Sequence, residues 1–426
     1  MRMKIKNGYV LDPGHVEGFF DLFIEDGLVR EVSEKGSGLP DKDADTILDA
    51  EGLLIFPGLI DLHVHLREPG HEYKETIESG CLAAVRGGIT AVCCMPNTHP
   101  VNDHAALTSW IISEAKRVGL AKVYPVAAIT EDLKGVQLNE YADLKAAGAV
   151  ALTDDGRPVE NAQIMRRAME YAKAFGLFTI SHCEDLSLVD SGVMNEGETA
   201  TRLGLSGIPN LSESLMVERE IGLAELTESS VHIAHVSTKE SVRAIREAKT
   251  RGVQVTAETA PHYFCLTEEA VADYNTNAKM NPPLRTEADR QAIIQGLQDG
   301  TLDCIATDHA PHAPMEKDAP FDLAPNGIIG LETSLSLSLR LVHEKFLEMS
   351  DLVRLMSKNP ARILGLPNDI APGAVADLTL VNPEKKWTVD VKTFASLSRN
   401  TPFDGWELKG KAVATIVNGK IVFRDF

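Results

Sequence analysis

The chain has 426 residues, of which 44% are hydrophobic and 24% charged, the balance of an ordinary globular protein. Its 42 Lys and Arg against 62 Asp and Glu leave a formal net charge of −20. That charge argues against a nucleic-acid or anionic-membrane binder, whose affinity rests on clustered cations. At about 150 residues per domain the length predicts two or three domains, or one large α/β barrel with an appendage.

Residues 1–10 alternate charge with apolar side chains and show no secretory pattern. Nowhere do about 18 uncharged apolar residues run together, so no membrane span is expected. The same segment holds Ile5-Lys6-Asn7-Gly8-Tyr9-Val10, and Ile416-Val417-Asn418-Gly419-Lys420-Ile421-Val422 mirrors it near the other end. Asn-Gly between β-prone runs is a type I′ hairpin signal. Glu25-Asp26-Gly27 predicts another hairpin, and residues 377–381 a further strand. Both ends are therefore expected to supply antiparallel strands to one small β-sandwich domain, residues 1–56 plus 371–426.

From Pro57 the pattern changes. Apolar runs at 59–64, 90–95, 123–129, 150–153, 178–181, 231–234, 253–257 and 304–307 alternate with helical stretches at 76–86, 105–118, 162–175, 212–226, 239–251 and 287–297. Eight β-runs separated by helices predict a (β/α)8 TIM-type barrel over residues 57–370. A doubly wound sheet would need a Gly-rich phosphate turn after an early strand, and none is present. Six cysteines (Cys81, Cys93, Cys94, Cys183, Cys265, Cys304) form no C-x-x-C pair. They read as free thiols of a reducing, cytoplasmic compartment.

Barrel active sites lie at the C-terminal ends of the strands. Those ends carry His63-Val64-His65, Asp154-Asp155-Gly156, His182, His235 and Asp308-His309. In a strand, residues i and i+2 share a face, so His63 and His65 can reach one ion. A lone histidine at a strand end is more often a hydrogen-bonded core residue than a ligand. Four imidazoles and two carboxylates converging on one face are a different matter, and they predict a site for one or two divalent cations. Mixed N and O ligation suits Zn²⁺, with Co²⁺ or Mn²⁺ as substitutes. Six ligands shared by two ions leave positions open for an activated water, the chemistry of amide hydrolysis or its reverse. Asp308 is placed to take a proton from that water and pass it to a leaving nitrogen. Period-2 logic does not choose between Asp154 and Asp155.

Pro57-Gly58-Leu59-Ile60-Asp61-Leu62-His63-Val64-His65-Leu66-Arg67-Glu68-Pro69-Gly70 resembles the signature of the amidohydrolase superfamily in its class I dihydroorotase form. Met95-Pro96-Asn97-Thr98, Thr153-Asp154-Asp155-Gly156, His182-Cys183-Glu184-Asp185, Ala234-His235-Val236-Ser237, residues 258–263, 279–285 and 306–312 are similar to that family's later blocks, in order. The resemblance implies reversible cyclisation of N-carbamoyl-L-aspartate to L-dihydroorotate, in de novo pyrimidine synthesis. It implies that His63, His65 and Asp308 bind one metal, His182 and His235 the other, and that Asp155 bridges them. Many superfamily members carry a carboxylated lysine on strand four; Thr-Asp-Asp-Gly here speaks against hydantoinase or allantoinase. By the same resemblance Arg67, Asn97 and His312 clamp the substrate carboxylate, with His65 beside them, Asn281 serves a ring amide, and Asn326-Gly327 touch the ring. A guanidinium fork matches a carboxylate bidentately, which a lysine would not. His262 and His309 read as structural histidines, and His312 to Gly330 as a long loop over the site, such as often forms a lid.

Two other readings compete. Another cyclic-amide hydrolase on the same fold is disfavoured by the missing strand-four lysine and by the Arg67, Asn97 and His312 set. A non-catalytic dihydroorotase-like subunit scaffolding aspartate transcarbamoylase should have lost metal ligands, and here all six positions are filled. A homodimer is the default assembly, with possible association with a transcarbamoylase.

Overall fold

The alternating N-terminal segment folds into β1 (Arg2–Asp12), β2 (Val16–Glu25) and β3 (Leu28–Glu34), followed by β4 (Thr46–Asp49) and β5 (Leu54–Pro57). In the computed structural model, which describes residues 1–426, these join the C-terminal β16 (Leu378–Thr388), β17 (Glu407–Val417) and β18 (Lys420–Arg424). The sheet order is β18-β17-β16-β5-β1-β2-β3, with β4 also on β1. Of the two predicted I′ turns the one at Asn418-Gly419 forms (φ 49° and 70°), and the further hairpin expected at Asp26-Gly27 forms as well (φ 49° and 87°). The sheet curls until these turns meet. A Cβ on Gly27 would sit 3.0 Å from the Asn418 carbonyl. Met3, Ile5, Leu22, Ile24, Leu48, Ile55, Leu380 and Ile416 fill the core between its two halves.

Two expectations need correction. β1 pairs in parallel with β4 and β5, so the sheet is mixed rather than antiparallel. Asn7-Gly8 makes no hairpin either; β1 runs straight through it with a bulge between Ile5 and Gly8. Asn7 (φ 66°) uses its left-handed tolerance for that bulge, donating from N to Asp21 Oδ1 (3.1 Å) and from Nδ2 to Asp49 Oδ1 (2.9 Å). The kink passes β1 from β4 to β5 as partner.

β6 (Leu59–Val64), β7 (Ile89–Cys94), β8 (Lys122–Ala127), β9 (Ala151–Leu152), β10 (Thr179–Ser181), β13 (Val231–Ile233), β14 (Val255–Thr259) and β15 (Cys304–Ile305) form one parallel sheet in sequence order, as predicted. β11 (Met194–Asn195) and β12 (Gly207–Ile208) make a separate two-stranded ribbon. The barrel closes where Val64 bridges His309 and His65 N donates to the His309 carbonyl at 2.9 Å. β6 and β7 are buried on both faces, which is why parallel strands read as unbroken apolar runs. Intervening helices at Ile77–Arg86, Lys239–Thr250 and Glu287–Gln298 start at Thr76, Thr238 and Thr286, whose side chains accept from the third residue on. All six cysteines are free and five are buried. No helix is long and apolar enough to cross a membrane.

The predicted loop over the site is a packed wall. Lys317 Nζ donates to the carbonyls of Thr276 (2.9 Å) and Pro325 (2.8 Å), and Lys279 Nζ to those of Asp322 (3.0 Å) and Ala324 (2.8 Å). Its own Phe321, Ala324 and Ile328 are buried.

Candidate active site

Strand geometry brings the ligand-type residues together. His63 and His65 both turn into the barrel mouth from β6, and Asp155, His182, His235 and Asp308 follow their strands into the same space. His235 (φ 32°), Asp308 (φ 45°) and Arg67 (φ 62°) hold left-handed backbone. Such strain in non-glycine residues concentrates at functional sites. Arg67 thus reaches the pocket by a turn beyond β6, not by continuing the strand's alternation.

His63 Nε2 lies 3.3 Å from Asp155 Oδ1 and 3.6 Å from Asp308 Oδ1. His65 Nε2 lies 3.1 Å from Asp308 Oδ1 and 3.6 Å from Asp155 Oδ2. On the other side His182 Nδ1 and His235 Nε2 approach to 2.7 Å, and both face Asp155 Oδ1, at 3.8 and 3.9 Å. Asp155 therefore stands between two pairs of histidines. Asp154 points away, accepting from Thr130 N (3.0 Å) and Thr130 Oγ1. Burial raises the Asp154 carboxyl to about 6 against those bonds.

The donor set fits divalent cations. His63 Nδ1 contacts Glu258 Oε1 at 2.7 Å, so its proton sits there and Nε2 presents a lone pair. That buried Nε2, and Nδ1 of His235, have no hydrogen-bond partner. A buried lone pair facing two carboxylates is repulsive unless a proton or cation lies between them. His63, Asp155 and His235 form one donor group, and His63, His65 and Asp308 another. The electrostatics agree. Burial works to lower His63, but Asp155 and Asp308 hold it well above the usual imidazole range. Burial works to raise those two carboxyls, yet the surrounding imidazoles hold both well below the usual range. Burial, then the nearby His182, push His235 down to about 3.

Above this cluster lies a cavity of about 310 Å³ lined by His65, Arg67, Asn97, Asp155, Gly156, His182, His235, Met280, Asn281, Asp308, Ala310, His312, Asn326 and Gly327. Every predicted substrate-contact residue is on its wall, and His63 is buried below. Arg67 uses only Nε within the protein, donating to the Pro311 carbonyl at 3.1 Å, and forms no ion pair. Asn97 Oδ1 accepts from His65 Nδ1 (2.9 Å) while its Nδ2 meets Asp155 Oδ2 (3.4 Å), so it braces the cluster from the pocket side. His312 Nε2 donates to the Asn326 carbonyl at 2.9 Å, and burial with Arg67 nearby pushes its pKa to about 3. Its ring is neutral. Asn281 Nδ2 approaches His182 Nε2 at 3.5 Å. Gly327 has φ 151°, and a Cβ there would lie 2.6 Å from the Ala310 carbonyl. A larger cavity of about 680 Å³ opens at the opposite end of the barrel, among Lys173, Glu228, Lys249, Asp303 and Arg362; none of the clustered imidazoles reaches it.

His309 is structural, as expected: Nε2 meets Glu75 Oε2 at 3.2 Å and Nδ1 accepts from Gly330 N at 3.1 Å. His262 is buried and pushed down to about 4 by burial. Sequence reasoning overlooked three residues that shape the site. Glu258 and His232 lie beneath His63, with His232 Nε2 at 3.2 Å from Glu258 Oε2. Glu184 Oε2 orients His182 through Nε2 at 3.2 Å. Glu184 lies two residues from His182 in the same motif block, which was the available signal; Glu258 opens a block of its own, inside a buried strand.

Comparison with known proteins places this geometry. The family described as Dihydro-orotase-like matches residues 52–241. Proteins named dihydroorotase are 60% identical in Desulforapulum autotrophicum, over 100% of this chain and 99% of that one, and 57% identical in Syntrophotalea carbinolica, over 100% and 99%. The Geobacter metallireducens dihydroorotase is 55% identical with full coverage of both chains, 100% each. Among solved structures, L-hydantoinase from Arthrobacter aurescens superposes with TM-score 0.89 at 24% identity, covering 99% of this chain and 96% of that one. Dihydropyrimidinase from Brevibacillus agri gives 0.86 at 23%, over 100% and 95%. At such identity these two share the fold. The full-length relatives decide the family: this chain belongs to the dihydroorotases of the amidohydrolase superfamily.

Proposed function

We propose that this chain is a class I dihydroorotase that interconverts N-carbamoyl-L-aspartate and L-dihydroorotate, with zinc as its metal. The observation that carries the substrate is Arg67: a guanidinium without a carboxylate partner, facing the cavity of a protein whose net charge is −20. The global field repels an anionic substrate, so a local cation must seat it. Arg67 meets the α-carboxylate with the neutral His312 ring packed beside it, Asn281 and the backbone at Asn326-Gly327 hold the ring amide, and Asn97 links this end to the ligands.

In this reading His63, His65 and Asp308 would hold one ion and His182 and His235 the other, with Asp155 a ligand available to each. Bound ions would supply Lewis-acid polarisation of the ring carbonyl and a water ionised near neutral pH. Asp308 does the proton work. Its depressed pKa keeps it a carboxylate, so it accepts the proton of the attacking water as the new C–O bond forms. It returns that proton to the ring nitrogen as the C–N bond breaks; cyclisation runs the same transfers backwards. Arg67 and the pinned wall keep the carboxylate end fixed while the ring opens.

The hydantoinase reading is weakened by Thr153-Asp154-Asp155-Gly156, where no lysine is available to bridge, and the scaffold reading by the complete ligand set. The same proposal treats residues 1–56 plus 371–426 as one domain and 57–370 as the catalytic barrel. It expects a cytoplasmic homodimer able to associate with aspartate transcarbamoylase. Asp308→Asn tests the mechanism: kcat for dihydroorotate opening should fall by roughly 10²–10⁴. Unchanged turnover would remove Asp308 from the proton path.

A further inference from the structure

Asn400 lies between β16 and β17, outside every barrel element, and its side chain is buried. It does not line the substrate cavity. Yet its polar atoms are all spent on the two backbone strips that do. Oδ1 accepts from His312 N at 3.0 Å, and Nδ2 donates to the carbonyls of Ala310 and Gly327, each at 2.9 Å. Its own carbonyl accepts from Ile329 N at 2.9 Å. An amide offers two donors and an acceptor in one plane, and no other side chain of this size does.

The strips need such a link. Their backbones pair only at their start, where His309 bridges Ile328 and Ala310 N donates to the Ile328 carbonyl at 3.0 Å; further along, the direct link is the side-chain bond from His312 Nε2 to the Asn326 carbonyl at 2.9 Å. Beyond that point Gly327 presses against its neighbour so closely that a Cβ would lie 2.6 Å from the Ala310 carbonyl and 2.8 Å from His312 Cδ2. Two carbonyls there converge with no backbone donor between them, and Asn400 Nδ2 satisfies both. Arg67 hangs from the same strip, through the Pro311 carbonyl at 3.1 Å.

We infer that Asn400 is a positioning residue for the carboxylate-binding end of the pocket: one buried amide sets His312, Gly327 and the anchor of Arg67 together. The inference rests on the dihydroorotase reading above. Because those groups seat the substrate and do not transfer its protons, losing the amide should weaken binding more than turnover. The orienting role also gives the C-terminal segment a direct part in a site built on the barrel.

The test is Asn400→Ala in the full-length, metal-replete enzyme. KM for dihydroorotate should rise about tenfold or more, with kcat within about threefold and metal content unchanged. Amide exchange should quicken in peptides covering 309–312 and 327–329 but not in those covering β6 or β10. If the alanine variant does not fold, Asn400→Ser, whose hydroxyl can keep one of the bonds, is judged by the same two readouts. Unchanged KM, or a fall in kcat alone, would overturn the inference and leave Asn400 a stability residue. A wild-type enzyme without dihydroorotate activity would instead sink the functional reading, and the exchange experiment would still decide whether Asn400 orders the strips.

Discussion

Removing Glu258 should loosen metal binding without touching a ligand. Its carboxylate is buried, with Oε1 2.7 Å from His63 Nδ1 and Oε2 3.2 Å from His232 Nε2. Burial works to raise its pKa, but the hydrogen bonds from His232 and His63 hold it at about 2. A charged acceptor therefore fixes the proton of His63 on Nδ1 and aims Nε2 at Asp155 and Asp308. In Glu258→Gln one side of the amide still accepts, but the other presents N–H toward a second N–H. His232 can respond by moving its proton to Nδ1, toward Thr256 Oγ1 at 2.8 Å, so the glutamine variant retains part of the orientation. Glu258→Ala retains none. Loss of such a supporting carboxylate costs about 10–100-fold in metal affinity, roughly 1.4–2.7 kcal/mol, with glutamine near the lower figure and alanine near the upper. Chelator competition on metal-stripped protein measures it, with circular dichroism to confirm the fold. A folded alanine variant that binds metal as tightly as wild type would refute the argument.

Other consequences follow from single groups. Arg67→Ala should cost about 2–3 kcal/mol, or roughly 30–150-fold in kcat/KM, mainly through KM and with metal content intact; metal loss would mean that Arg67 supports the cluster instead. Arg67→Lys should recover only part of this, because an ammonium lacks the fork. Gly327→Ala forces a Cβ against the Ala310 carbonyl and His312, so it should raise KM at least as much as Asn400→Ala; unaltered kinetics would show that the strip can move aside. Burial raises Glu332 to about 7, against bonds from Ser396 N and Ala395 N. A carboxyl with a folded pKa above its unfolded value binds its proton more tightly when native, so stability falls as pH rises from about 4.5 to about 7. Glu332→Gln removes that fall and should stabilise the protein at about pH 8 by on the order of 3 kcal/mol relative to about pH 4. Urea melts at both values check it, and equal differences at the two would contradict it.

The eight barrel strands were legible because parallel strands covered on both faces need continuous apolar runs, and in this chain those runs alternate with helical stretches from Pro57 onward. The clustered histidines and aspartates were legible because each sits at a strand end, where His63-x-His65 and the aspartates break those runs. Glu258 escaped because it lies inside β14, in a position that reads as core until its two imidazole partners are seen. Asn400 left no signal at all, since its partners lie about 70 to 90 positions earlier in the chain and no pattern ties them. Asn7-Gly8 misled for the opposite reason. Its local preference is for left-handed backbone, and the sheet used that preference for a bulge that passes β1 between partners. The choice of Asp155 over Asp154 needed the family pattern, and the hydrogen bonds from Thr130 explain it: they turn Asp154 out of the cluster.

The central claim is that this cluster opens and closes the dihydroorotate ring using bound metal. One preparation decides it: strip the metal, titrate zinc back while measuring content, and follow dihydroorotate hydrolysis and carbamoyl-aspartate cyclisation at each step. Activity in both directions should rise with bound zinc and return to the level of the untreated enzyme. Folded, zinc-loaded protein that leaves dihydroorotate intact, or that opens hydantoin or dihydrouracil in its place, would contradict the account.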